Sequence, residues 1–325
     1  RDIVAIGCSA GGVDALPRIL QQLRPDLEAA ILIVQHIAAT STPHLAGILA
    51  RTSRLSVDWA EQGAPIVPGR VYVAPPDAHL LVADGHIRLT KGARENHSRP
   101  SIDKLFRSVA ADYAGRVIGV LLTGMLDDGV AGLRAIHDAG GIAIVQDPAD
   151  AAFAELPRNA LLAFAPDRVL PIDAIGGAIT SIVGERASAA TAPPGLTLEA
   201  RIDRDDPVSP ELMAELGPQT ALACPECHGP MWQIGNEAVR RFRCYLGHAM
   251  TARELLHSST AEVESALWSA VRALNDRAIT LETLATDAER LGNPQSAGSY
   301  ARRARETREQ AELARRFMLD LSRSL

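Results

Sequence analysis

No uninterrupted apolar stretch in the 325 residues reaches the roughly 18 needed for a membrane-spanning helix, and no signal-peptide pattern opens the chain. Direct membrane insertion is therefore not expected, and a cytoplasmic setting is. Cysteine is scarce, with only four in the chain. Three of them, Cys224, Cys227 and Cys244, fall within twenty-one positions near a histidine, and Cys8 adjoins a serine. That is metal-site usage, not a disulfide framework. Positive charge is also lacking: the formal net charge of −6 argues against broad binding to nucleic acid or anionic membrane. What remains is ample apolar content over a length that holds two domains or one large one. The first residues already have core-strand character, so the chain is expected to begin at a domain edge, with a short tag or leader missing.

The richest stretch runs from Asp2 to Gly12, Asp-Ile-Val-Ala-Ile-Gly-Cys-Ser-Ala-Gly-Gly. Ile3 to Ile6 form an apolar run of strand length. Gly7, Ser9 and Gly11 then spell Gly-x-Ser-x-Gly, the nucleophile-elbow pattern. Small flanking residues permit a tight turn that exposes the hydroxyl, and N–H groups at a helix start can stabilise an oxyanion. Val13, Leu16, Leu20 and Leu23 follow at helical spacing, although Pro17 fits a regular helix poorly beyond its first turn. The alternative for such a glycine turn is packing, or contact with a nucleotide phosphate. The order Gly7-Cys8-Ser9-Ala10-Gly11-Gly12 is not the Gly-x-Gly-x-x-Gly of a dinucleotide fold, which weakens the nucleotide reading.

Up to residue 183, strand-like runs alternate with helical patterns. Strands are expected at 29–35, ending at His36, and at 71–74, 117–122 and 142–145, with a helix over 130–139. These repeats predict an α/β fold: a doubly wound, largely parallel sheet with helices on both faces. Residues 79–89, centred on Asp84-Gly85, are expected as an antiparallel hairpin attached to that sheet. Composition then shifts, and 184–217, with Ala-Pro-Pro-Gly and Asp203, Asp205 and Asp206, is expected as a linker. Within it, 197–202 could pair as an edge strand. Residues 218–250 form a separate Cys/His module, and 251–325 an α-helical hairpin. Its first helix carries a stripe of Leu256, Val263, Leu267, Leu274, Leu281 and Leu284. Its second carries Tyr300, Ala304, Ala311, Ala314, Met318 and Leu321. The arginines of the second helix are expected to form a solvated face.

A serine nucleophile needs a base and a group to orient that base. Ser9, His36 and Asp128 each follow an apolar strand, so a parallel sheet would gather them at its carboxyl edge. Their order, Ser…His…Asp, differs from that of α/β-hydrolases. His79 and His97 compete with His36 for the base role. Cys8 is expected to fill core, with a redox-sensitive thiol as the alternative.

These segments occur in series with Pro75-Pro76-Asp77-Ala78-His79, Ser98-Arg99-Pro100-Ser101-Ile102-Asp103, Leu122-Thr123-Gly124-Met125 through Gly129, and Leu156-Pro157-Arg158. Together they resemble the catalytic domain of chemotaxis protein-glutamate methylesterases of the CheB type, over residues 1–183. The resemblance implies removal of methyl esters from glutamates on helical chemoreceptors or related helical signalling proteins, with glutamine deamidation in some members. It implies Ser9 as nucleophile, His36 as general base and acid, Asp128 as orienting carboxylate, and the backbone of Met125 at the oxyanion site. No cofactor is implied for catalysis. Arg99 is a candidate contact for an acidic receptor segment, with a salt bridge fastening its own loop as the alternative.

The chain departs from the family pattern in three ways. Ala10 replaces a frequent threonine, Leu126-Asp127 replaces Gly-Asn, and no phosphorylatable receiver domain is expected ahead of the esterase. Asp127 is expected to face water. The rival function is a degenerate esterase serving as a scaffold for a receptor or methyltransferase. Retention of serine, histidine and aspartate argues against it.

Cys224-Pro225-Glu226-Cys227 and Cys244-Tyr245-Leu246-Gly247-His248, sixteen residues apart, have the spacing of a zinc ribbon. Cys224, Cys227, Cys244 and His248 would close a structural Zn²⁺ site with no open position, His228 being the rival fourth ligand. The module is expected to present the helical hairpin to a regulatory partner. Nucleic acid is not an expected partner, although Arg240, Arg241 and Arg243 keep that contact open.

Overall fold

Apolar runs with no polar alternation can only be satisfied by burial on both faces, and these runs become the inner strands of a parallel sheet. In the computed structural model, described over residues 1–37, 44–187, 190–204, 208–235 and 239–324 (side chains of 261 and 321–324 excepted), they do so. The strands are β1 (Ile3–Cys8), β2 (Ala30–Gln35), β3 (Ser56–Trp59), β4 (Arg70–Val73), β7 (Val117–Leu121), β8 (Ile142–Gln146) and β9 (Arg168–Leu170). Their order is β3-β4-β2-β1-β7-β8-β9, every pairing parallel. The short edge strands β3 and β9 escaped the sequence reading because neither carries a long apolar run.

Helices α1 (Gly12–Leu20), α2 (Leu45–Thr52) and α6 (Ile172–Ile182) cover one face of the sheet. On the other lie α3 (Ile102–Tyr113), α4 (Val130–Asp138) and α5 (Glu155–Ala163). Pro17 sits inside α1, past its first turn, leaving the carbonyl of the exposed Val13 without its helical N–H. The hairpin of β5 (His79–Ala83) and β6 (His86–Thr90) forms as expected around Asp84-Gly85. It is a separate two-stranded sheet, however, packed on α3 and not joined to the central one.

The stretch expected as a linker is not one. It holds α7 (Pro194–Asp203) and α8 (Pro210–Leu216), so 197–202 is helical and not an edge strand. Glu199 and Asp203 are buried; Asp205 and Asp206 lie outside the described residues. The reason is charge. Arg241 and Arg243, on β12 (Arg240–Cys244), point into the same space as Lys104 and Arg107 of α3, and the carboxylates of Glu95, Glu199 and Asp203 pair with them there. Strand β12 belongs to a four-stranded antiparallel sheet with β10 (Gln219–Ala223), β11 (Pro230–Gly235) and β13 (Ala249–Thr251). The ribbon and the esterase-like region thus form one compact unit, Arg1–Glu254.

Residues Leu255–Leu325 form a second unit, built on α9 (Ala252–Arg290) and α10 (Pro294–Ser324). Within it, Val271, Ala278 and Ala285 with Leu281 and Ala288 make one buried seam, and Ala297, Ala304, Ala311 and Met318, every seventh residue, make the facing one. The expected Leu281, Ala304, Ala311 and Met318 are in that seam. Leu256, Val263 and Leu284 are exposed, the first because the longer helix outruns its partner, and the side chain of Leu321 lies outside the described residues. No helix among the described residues is long and apolar enough to cross a membrane.

Candidate active site

The chain leaves β1 toward β2 on one side and returns through β7 on the other, so a crevice opens at the carboxyl ends of these three strands. Ser9 follows β1, His36 follows β2, and Asp128 ends the loop after β7. The Ser9 turn is anchored by its own N–H to the Thr123 carbonyl at 3.1 Å and by the Gly12 N–H to the Ser9 carbonyl at 3.0 Å. Its glycines are required by close approach. A Cβ on Gly12 would lie 1.9 Å from Gln35 Oε1, and one on Gly124 would lie 2.7 Å from Leu156 Cδ2 and 3.0 Å from Ser9 Cβ.

Serine, imidazole and carboxylate stand in series. His36 Nδ1 is 3.1 Å from Ser9 Oγ, and His36 Nε2 is 2.7 Å from Asp128 Oδ2. The carboxylate holds the ring proton on Nε2, which leaves the Nδ1 lone pair facing the hydroxyl. Asp128 is buried, yet it accepts hydrogen bonds from Ser101 Oγ (2.9 Å), the Ile102 N–H (2.7 Å), the Asp103 N–H (3.3 Å) and Asn96 Nδ2 (3.1 Å). Two of these donors belong to the first turn of α3, whose N-terminal dipole favours an anion. Burial pushes the Asp128 pKa up, but the bonds from His36, Ile102 and Asn96 outweigh it and leave the group below its ordinary range. The aspartate is an anion by construction.

The rival histidines have other work. His79 is buried, its Nε2 bonded to the Ala93 carbonyl at 3.1 Å and its Nδ1 accepting from the Ser101 N–H at 3.2 Å. Burial, aided by Lys104, pushes its pKa down to about 3, so it stays neutral. His97 is 2.8 Å from Glu226 in the ribbon. Cys8 is buried and donates to Gln35 Oε1 at 3.1 Å; burial raises its pKa strongly, in keeping with core filling and not with a reactive thiol. Gln35 was missed by the sequence reading. Its amide Nε2 donates to the carbonyls of Ser9 (2.8 Å) and His36 (3.0 Å), tying the two loops together. The only signal was a polar residue closing an apolar strand.

Arg99 is committed to its own loop, with Nε and Nη2 on Asp77 Oδ1 at 2.9 and 2.6 Å and Nη1 on the carbonyls of Lys91 and Gly92. The fastening alternative thus describes it. A cavity of about 300 Å³ beside His36 is also lined by Arg94, His97 and Ser98. Exposed Arg94, overlooked in the sequence, has no ion pair among the described residues. Met125 is exposed at the rim, next to Gly124. Asp127 does not face water. It is 9 % exposed and accepts from Thr251 Oγ1 at 3.1 Å, because β13 of the ribbon covers it.

In the two turns of the ribbon, the donor atoms of Cys224, Cys227, Cys244 and His248 all lie within 4.8 Å of one another. Cys227 Sγ is 3.6 Å from Cys244 Sγ, which is 3.6 Å from His248 Nδ1. A tetrahedron with Zn–S bonds near 2.3 Å has edges of roughly 3.7 Å, so the donor set fits a metal ion. His228 is exposed on a left-handed turn (φ 58°) and outside the cluster.

A parallel α/β sheet carrying serine, imidazole and carboxylate in series at its switch point has the architecture of a serine-hydrolase-type protein. The sequence model of the CheB methylesterase matches residues 4–179, more than half of the chain, and the chain belongs to that family. It is 46 % identical over 181 residues to protein-glutamate methylesterase/protein-glutamine glutaminase 2 of Anaeromyxobacter dehalogenans, covering 56 % of this chain and 53 % of that protein. It is 42 % identical over 175 residues to a putative protein-glutamate methylesterase/protein-glutamine glutaminase of Leptospira interrogans, covering 54 % of this chain and 91 % of that one. The chain thus spans only about half the length of the first of these relatives. The crystal structure of the Thermotoga maritima CheB methylesterase catalytic domain superposes with a TM-score of 0.54 at 34 % identity, covering 56 % of this chain and 98 % of that one.

Proposed function

We propose that this chain is a protein-glutamate methylesterase acting on methylated chemoreceptors or related helical signalling proteins, with glutamine deamidation as a second activity of the same site. The observation that carries the reading is the Ser9–His36–Asp128 series, at 3.1 and 2.7 Å. The names of the relatives supply the substrate class. Ser9 Oγ attacks the γ-ester carbonyl while His36 Nδ1 takes its proton, and a tetrahedral oxyanion forms. The backbone around Met125, held against Ser9 by Gly124, is the proposed oxyanion site. As the C–O bond to the methoxy group breaks, His36 returns the proton and methanol leaves. Water then adds to the acyl-serine with His36 again as base, freeing the glutamate and restoring Ser9. Deamidation follows the same path with ammonia as the leaving group. Arg94, beside His36, offers a cation to an acidic segment of the substrate.

Cys224, Cys227, Cys244 and His248 would hold a structural Zn²⁺ that pins the two ribbon turns; all four positions are filled by protein, so it takes no part in hydrolysis. Burial of Arg241 and Arg243 removes them from any contact with phosphate, which supports a protein partner and not nucleic acid. The helical hairpin is the proposed surface for a regulatory partner, and the place of action the cytoplasm. Methanol release from a methylated receptor tests the reading. Ser9→Ala is expected to reduce it by several powers of ten while leaving the melting curve unchanged. Near-normal release from Ser9→Ala would overturn it.

A further inference from the structure

Asn96 stands between the ribbon and the triad. Its backbone N–H donates to the Ala249 carbonyl at 2.8 Å, and the Ala249 N–H donates to the Arg94 carbonyl at 3.4 Å, so residues 94–96 run beside β13 as an added strand segment. Its side chain is buried. Oδ1 accepts the Thr251 N–H at 3.1 Å, while Nδ2 donates to Asp128 Oδ1 at 3.1 Å and to Asp103 Oδ2 at 3.2 Å. A carboxamide has one acceptor end and one donor end. Because the Thr251 N–H claims the acceptor, the donor must face the two carboxylates. A flipped amide would turn its oxygen toward two acidic groups and its NH₂ toward an N–H.

The backbone at Asn96 is itself left-handed, with φ 47°, a conformation asparagine tolerates better than most residues. Glu95, its neighbour, is locked to Arg107 and Arg241, which anchors the segment from the ribbon side as well. Asp103 bonds the Gly132 N–H at 2.6 Å; burial, then Asp128 and Glu95, raise its pKa, so Asp128 carries the negative charge that Asn96 addresses.

We infer that β13 of the ribbon is the positioning strand of the catalytic centre: it sets the Asn96 amide, and Asn96 sets the Asp128 carboxylate on which the His36 ring turns. The inference rests on the triad reading above. Asn96 is a positioning residue, since it touches neither substrate nor reacting atoms. The ribbon is then a working part of the esterase, not a tail attached behind it.

The test is the rate at which a fluorophosphonate modifies Ser9 in the full chain, where the Oγ–P bond forms, P–F breaks and His36 takes the proton. It is paired with kcat and KM on a small neutral ester. Asn96→Asp is nearly isosteric and keeps the acceptor for Thr251 but replaces the donor with a charge. Asn96→Ala removes both ends. Each is expected to slow labelling and lower kcat about ten- to hundredfold with KM unchanged, the effect of losing one hydrogen bond to a charged group. Thr251→Pro, which deletes the N–H on the ribbon side together with the hydroxyl bonded to Asp127 and leaves Asn96 in place, is expected to do the same. It also decides the matter should the Asn96 variants not fold. Labelling within twofold of the native rate in folded Asn96→Asp, or in folded Thr251→Pro, would overturn the inference. His36→Ala separates the two readings. If it labels as fast as the native chain, the triad reading fails; if it is inert while the Asn96 variants are native-like, only the positioning role fails.

Discussion

Asp203→Asn is the sharpest probe of what joins the ribbon to the esterase region. Asp203 has no solvent-exposed side-chain surface, and its oxygens meet Arg107 Nε at 3.0 Å and Nη2 at 2.7 Å, Arg243 Nη1 at 2.9 Å and, more distantly, Lys104 Nζ at 3.8 Å. Four cations, Lys104, Arg107, Arg241 and Arg243, face three carboxylates there, those of Glu95, Glu199 and Asp203. The amide keeps the shape but leaves four cations against two anions in a space with almost no water. Removing one partner of a buried ion pair costs about 3–5 kcal/mol, far more than the net worth of the pair itself. At about 2–4 °C per kcal/mol for a unit of this size, the melting temperature should fall by roughly 6–20 °C. Differential scanning calorimetry of the full chain at neutral pH reads this directly. Combining Asp203→Asn with Arg243→Met should cost less than the sum of the two single changes, because the second relieves the charge that the first strands. The acid limb carries the same signature. Burial raises the Glu199 pKa, but the arginines outweigh it and hold it at about 2, below its unfolded value of 4.5. Its stabilisation is therefore complete above 4.5 and lost as pH falls toward 2. A melting temperature for Asp203→Asn within 2 °C of native would refute the argument that this network, and not apolar contact, welds the two regions.

Two further outcomes follow from single positions. Gly124→Ala places a methyl 3.0 Å from Ser9 Cβ and 2.7 Å from Leu156 Cδ2, so the Ser9 turn must shift; kcat for ester hydrolysis should drop about a hundredfold with modest loss of stability, and unchanged kcat would show that the turn can absorb the methyl. Burial, reinforced by Asp127, Asp128 and Glu155 and partly offset by His97, raises the Glu254 pKa to about 7, above its unfolded value of 4.5. The folded state therefore holds a proton that the unfolded state releases, and this group destabilises the fold progressively from pH 4.5 up to about 7. Glu254→Gln should raise the melting temperature at pH 8 and leave it unchanged at pH 4; equal shifts at both would show that ionisation is not the cause.

The parallel sheet and the Ser9 turn were legible because both are local. A four-residue apolar run admits few environments, and Gly-x-Ser-x-Gly after it admits few turns. His36 and Asp128 were legible for a topological reason, since each ends an apolar strand and parallel strands share one carboxyl edge. The four metal-type ligands were legible from spacing alone. The linker was misread because Asp203 and its neighbours look solvated in composition. Only partners 96 residues away on Arg107 and 40 away on Arg243 make such a carboxylate stable in a core, and no window of sequence holds both sides of that pairing. Asp127 failed for the same reason, its partner Thr251 lying 124 residues on. Leu256 failed differently: a heptad stripe reports that a helix can pack, but not how far its partner extends. Each misread acid therefore takes its environment from a segment remote in the chain. The ribbon is the segment that supplies most of those environments. Its arginines bury the acids of α7, its β13 edge covers Asp127 and holds Asn96, and its Glu226 takes His97. A module read from its cysteines as an independent metal site is, through its other side chains, a wall of the site around Ser9.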